Sequence, residues 1–168
     1  MTDLTDIMGN WGPTIVAAAG ATIVAAAGIK LTVLDSWYFN LRKPSWQPPD
    51  WLFGPAWTSI FICEAASAVI GWEAIHTAGA RALLVVLYVL NGVFNIIWSY
   101  YFFHMKRPDF ARREIPLLWL SIVALMVMLK IYAGWAWLFL MPYLLWVSFA
   151  AFLNHTIVRL NAPFAGRA

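Results

Sequence analysis

The chain is short of charge, of cysteine and of polar linker. Only 11% of its 168 residues are Asp, Glu, Lys or Arg, against 62% hydrophobic residues and a mean hydropathy of +0.72. So little polar surface cannot cover a water-soluble globule, which excludes the soluble enzyme classes and directs the chain to a bilayer. A single cysteine, Cys63, excludes an intramolecular disulfide, and its apolar surroundings suit a small packing residue. The first ten residues carry Asp3 and Asp6 but no Lys or Arg, so the basic flank of a cleaved signal peptide is missing and the first apolar run reads as mature structure. Also absent are metal-spaced Cys/His clusters, paired catalytic carboxylates, a Ser-His-Asp order and a glycine-rich phosphate loop. The pI near 9.2 does not point to nucleic acid, because the basic residues are spread among the connections, where they set membrane topology.

Apolar runs supply what is there. A bilayer span needs about 20 apolar residues, so this length accommodates five helices and no separate soluble domain. The spacing predicts an all-α, five-helix transmembrane bundle over residues 1–168, with spans near 13–34, 55–72, 82–103, 115–131 and 135–158. Backbone amides at that depth must bond internally, which leaves the helix as the only workable state. The first span repeats TIVAAAG at Thr14–Gly20 and Thr22–Gly28, a small-residue surface suited to close helix packing. Pro55 fits a first turn, Pro116 sits just inside the fourth span, and Pro142 ends or kinks the fifth.

Arg42, Lys43, Lys106, Arg107, Arg112, Arg113, Arg159 and Arg167 fall on one side of this arrangement, and only Arg81 falls clearly on the other. The positive-inside rule then predicts an N-terminus outside and a C-terminus in the cytoplasm, in a multi-pass protein of a bacterial-type cell membrane.

One segment fits no span. SWQPPDWLFGPAW, Ser45 to Trp57, packs three tryptophans and three prolines into one connection. Proline fixes the backbone and biases the preceding residue to extended geometry, while tryptophan favours the membrane interface. The loop from Asp35 to Thr58 is therefore expected to be an ordered Trp/Pro-rich lid, with a simple anchoring belt as the alternative.

Polar stripes within the spans favour the lid. Asn91, Asn95 and Ser99 recur four residues apart beside Trp98; Trp57, Phe61 and Glu64 share a face; Tyr143, Trp146, Ala150 and Leu153/Asn154 align at spacings of three and four. Buried amides also serve as interhelical packing groups, and that reading stands for Asn91 and Asn154. Aromatic walls with a few polar groups are nonetheless the form of a pocket for a flat, mostly apolar ligand. Glu64, about nine residues into its span, is either a proton-relay or ligand contact or a neutral acid bonded to a neighbour. His76, His104 and His155 share no face and read as interfacial rather than as haem ligands.

Three ordered stretches, WYFNLRKPSWQPPDWLFGPAWT, FNIIWSYYFF and PYLLWVSFAAFLNHTIVRLN, carry a resemblance to the TspO/MBR family, the tryptophan-rich sensory proteins related to the mitochondrial translocator protein. The resemblance covers nearly the whole chain. It implies five transmembrane helices, often a homodimer, and a pocket beneath the first loop for porphyrins, including haem, and for isoquinoline-type synthetic ligands. Carried over by motif, that pocket takes Trp37, Tyr38 and Pro48 from the loop, Trp57 and Phe61 from the second span, Asn95 and Trp98 from the third, and Trp146, Ala150 and Leu153 from the fifth. Glu64 replaces the methionine of the family's Tyr-x-x-Met, which puts an acid beside these residues and adds it to the candidate set. The stretch from Leu153 to Arg159 lacks the tyrosine of the animal proteins' sterol motif.

The implied function is a tetrapyrrole receptor or carrier with no obligatory cofactor and with lipid, porphyrin and a second subunit as partners. The alternatives are a small subunit or assembly factor of a larger pigment–protein complex and, with no acid–base or nucleophile constellation to support it, light-driven porphyrin breakdown.

Overall fold

A computed structural model describes residues 4–164, with side chains from Trp11 onward; Asp3, the Asp6 side chain and Arg167 lie outside the described residues. Six α-helices follow one another: α1 (Leu4–Leu31), the short α2 (Ser36–Asn40), α3 (Phe53–Ala74), α4 (Ala78–Ser99), α5 (Pro108–Ala133) and α6 (Met141–Asn161). Among the described residues there is no strand, and the five long helices form the expected all-α bundle. Four unbroken stretches are long and apolar enough to cross a membrane, the last of them being Pro108–Asn161. Its 54 residues hold two helices. Gly134, at φ +60°, and the 3-10 segment Gly134–Leu140 turn the chain between them.

The return is visible in the pairing of α5 with α6. Trp119 Nε1 donates to Ser148 Oγ at 2.9 Å. Farther along, Asn154 donates to Pro108 O at 3.0 Å and accepts from Arg112 N at 3.1 Å, in the amide orientation that satisfies both groups.

Helix ends differ from the simple spacing. Pro116 lies well inside α5, because Pro108 opens that helix; Pro142 stands in the first turn of α6, where its missing N–H costs nothing, instead of kinking a longer helix. α1 begins before Pro13, which is therefore inside the helix. α4 ends in a π-helical turn, Tyr100–His104, closed by Met105 N donating to Tyr100 O at 2.9 Å.

The core centres on α5, where Leu118, Ile122, Leu125 and Leu129 repeat at helical spacing and are almost wholly buried. Gly71 lets α3 approach: a β-carbon there would stand 2.5 Å from Leu129 Cδ2. Hydroxyls on exposed faces turn back to their own helices, as when Thr22 donates to Ala18 O at 2.7 Å and Thr156 to Phe152 O at 2.9 Å, which removes free polar groups from lipid.

Candidate functional site: an aromatic cavity beneath the first connection

The connection from Thr32 to Leu52 is built as an ordered cap. Asp35 accepts from the backbone of Trp37 (3.0 Å) and Tyr38 (3.3 Å), capping α2, and its second oxygen pairs with Lys106 Nζ at 2.7 Å. Lys106 reaches it from a left-handed backbone position, φ 54°, uncommon for a residue with a side chain. Tyr38 is buried, donates to Asp50 Oδ1 at 2.7 Å, and lies under the Lys43 ammonium at 3.4 Å from its ring centroid. Trp46 stacks on Phe152 at 5.1 Å, fastening the proline stretch to α6. At the far end, Asn161 accepts from Arg42 N and donates to Arg42 O, both at 2.8 Å. The hydrogen bond from Lys106 holds the Asp35 carboxyl below the usual carboxylate range. Burial, reinforced by Asp50, pushes the Tyr38 phenol up, and burial pulls the Lys43 ammonium down.

Beneath this cap lies a cavity of about 400 Å³. Ala25, Gly28 and Ile29 of α1, with Thr32 just past its end, form one wall. Trp57, Thr58 and Phe61 of α3 form the next; the Trp57 ring stacks on Phe61 at 5.5 Å and meets Tyr143 edge-on at 5.9 Å. α4 contributes Asn95, Trp98 and Ser99, with Trp98 stacked on Phe102 at 5.3 Å. α6 contributes Trp146 and Ala150, and Phe53 braces Trp146 edge-on at 5.4 Å. Tyr38 and Asp50 close the top.

The polar floor is a directed chain of hydrogen bonds. Ser121 Oγ donates to Leu118 O at 2.7 Å and accepts from Asn91 Nδ2 at 2.9 Å. Asn91 Oδ1 then accepts from the Tyr143 hydroxyl at 3.2 Å, which itself accepts from Asn95 Nδ2 at 3.1 Å. Asn91 thus bonds between helices, whereas Asn95 joins this scaffold to the cavity and is held there in one orientation.

The cavity gathers Tyr38, Trp57, Phe61, Asn95, Trp98, Trp146 and Ala150 of the residues singled out in the sequence. The other four stand elsewhere. Trp37 packs edge-on against Phe102 at 6.4 Å; Leu153 is buried with Tyr38, Phe102, Ala111 and Ile157 behind the cap; Pro48 is half-buried in the cap. Glu64 lies three residues beyond Phe61 on α3, off the cavity wall, with its backbone carbonyl accepting from Ser67 Oγ at 2.7 Å. Three residues past Phe61 leave Glu64 on the face it shares with Trp57 and Phe61 but about one turn deeper along α3, beyond the cavity lining.

The α1 wall was not foreseen. The TIVAAAG repeat reads as a helix-packing surface, and α1 does pack against α3 and α4, but a β-carbon at Gly20 or Gly28 would meet nothing within 4 Å. Its small residues also leave room on the cavity side, and the signal was the spacing of Ala25, Gly28, Ile29 and Thr32 at i, i+3, i+4 and i+7. Phe53, Ser99 and Phe103 also line the cavity. His76, His104 and His155 are exposed, and the described residues contain no cluster of metal-ligating side chains.

Comparison with known proteins bears on this arrangement directly. The TspO/MBR family profile matches residues 14–160. The chain belongs to the TspO/MBR family. It is 44% identical over 131 residues to the tryptophan-rich protein TspO of Chlorobaculum tepidum, covering 75% of this chain and 80% of that one. Against the tryptophan-rich sensory protein of Cereibacter sphaeroides it is 35% identical over 148 residues, 88% and 89% of the two chains. The human translocator protein is 28% identical over 131 residues, 77% and 78%. Family membership and the apolar helices make this a multi-pass membrane protein.

Proposed function

We propose that the chain is an integral-membrane receptor or carrier for a flat, largely apolar tetrapyrrole, acting by binding rather than by catalysis. The observation that carries this reading is the capped cavity, with aromatic rings on three helices, an empty-sided small-residue helix on the fourth, and one amide oriented by a buried network. The described lining residues include no His, Cys or Met and are mostly aromatic and small, which suits the face and edges of a macrocycle. Arg42 and Lys43 on the cap and Arg159 at the same end of α6 supply cations for propionate groups near the mouth.

The gathering of basic residues at the capped end supports an orientation with that end and the C-terminus in the cytoplasm. A homodimer in a bacterial-type cell membrane fits the family.

Protoporphyrin titration followed by tryptophan quenching tests the proposal. Saturable quenching that weakens in Trp57→Ala and Asn95→Ala is expected; no saturation, or identical curves for all three proteins, contradicts it. The uncovered outer faces of α1 at Gly12 and Gly20 favour a second reading, docking within a larger pigment–protein complex. Mild extraction and size analysis separate the two: a small particle retaining porphyrin supports the receptor, and co-migration with a large assembly supports the subunit.

A further inference from the structure

Away from the capped cavity, α4 and α5 leave an open groove of about 450 Å³ on the outside of the bundle. Its two ends differ. Tyr101, Arg113 and Glu114 line the end nearer the α4–α5 connection, while Phe94 and Leu117 line the portion one to two turns deeper. From Phe94 to Tyr101 is roughly 10 Å along the helix, enough to pass from headgroup level into hydrocarbon.

Glu114 is only 7% exposed, and neither carboxyl oxygen has a hydrogen-bond partner among the described residues; they are the only buried side-chain N or O atoms there of which this is true. An unmet carboxyl in so apolar a setting is costly and calls for a donor from outside the chain. Arg113 beside it is exposed, its guanidinium 5.9 Å from the Phe110 ring. The two ion pairs among the described residues take up the neighbouring cations, Lys106 with Asp35 and Arg107 with Asp109, and leave Arg113 without a carboxylate. The groove thus offers an acceptor and a cation side by side above an apolar channel.

The geometry points to a specific site for a phospholipid whose headgroup carries N–H donors, with the phosphate on Arg113, the ammonium on Glu114 and one acyl chain along Phe94 and Leu117. A zwitterionic headgroup matches the order of charges, and ethanolamine supplies the donors that Glu114 lacks, whereas choline has none. A bulk lipid held only by apolar contact would show no such preference.

Native mass spectrometry of the delipidated full chain, titrated with phosphatidylethanolamine, its N-methyl and N,N-dimethyl forms and phosphatidylcholine of identical chains, tests the assignment. One tightly retained lipid is expected for each headgroup that keeps an N–H, with a fall of roughly tenfold in affinity at choline, the worth of one charge-assisted hydrogen bond. Glu114→Leu should abolish that step, and Arg113→Gln should weaken all four lipids while keeping it. Unchanged protoporphyrin titration in Glu114→Leu would verify its fold. Equal retention of all four lipids by the wild-type chain overturns the site whether or not the variant folds, as does a step that survives in Glu114→Leu.

Discussion

Helices α1 and α5 have similar lengths, 28 and 26 residues, but opposite relations to their neighbours. α5 buries ten side chains, from Pro108 to Leu129, whereas no described side chain of α1 is fully buried. Branched side chains on α5 fill the space between helices and fix one arrangement; alanines and glycines on α1 leave space unfilled. The cavity therefore lies where the chain places its smallest residues opposite its largest rings. Stability and recognition are divided between two sides of one bundle, and variants on the two sides should fail in different ways.

The largest effect belongs to the packed side. Leu125→Ala, at a site with no exposure, should lower unfolding free energy by about 2–5 kcal/mol, while Val16→Ala on the outer face of α1 should change it by less than about 0.5 kcal/mol. Denaturation in matched detergent measures both, and equal losses would erase the contrast between the helices. Tyr143→Phe, which breaks the link between Asn91 and Asn95, should cost about 1 kcal/mol and also weaken porphyrin binding, since Asn95 loses its tether. Loss of stability with unaltered binding would detach the network from the cavity.

Smaller effects belong to the cap. Asn161→Ala removes both bonds to the Arg42 backbone and should speed amide exchange at the non-proline residues from Arg42 to Gln47, leaving α5 protected. The Asp35–Lys106 pair should give the weakest signal. Because the folded Asp35 carboxyl titrates below its ordinary range, its contribution is present above the usual pKa of about 3.9 and disappears as pH falls through the lower folded value. Cap tryptophan fluorescence should therefore hold steady down to about pH 4 and shift only in stronger acid, with Asp35→Asn lacking that transition.

Much of this organisation was legible in the sequence, because lipid leaves few options. Runs such as Ala82–Phe103 must be helical, and Asn91, Asn95 and Ser99 at fourfold spacing announced a polar face that the structure buries. The Trp/Pro segment announced order, since Pro44, Pro48 and Pro49 restrict the backbone around Trp46. Tertiary choices were less legible. Pro116 does not mark a helix start, because the upstream Pro108 and Asn154, distant in sequence, define it. Nor can spacing tell whether a small-residue face closes on a neighbour or stands away from it; at Gly28 it stands away, and at Gly92, where a β-carbon would come within 2.9 Å of Val24 Cγ2, it closes.

That difference gives the most direct test of the central claim, that unfilled space beside α1 is the ligand's site. Gly28→Phe adds a ring where the chain has no competing atom within 4 Å of the new β-carbon, so it fills the cavity without removing any aromatic wall or hydrogen bond. In a protoporphyrin titration the variant should remain as stable as the parent and lose saturable quenching. A folded Gly28→Phe protein that binds porphyrin with undiminished affinity would contradict the account.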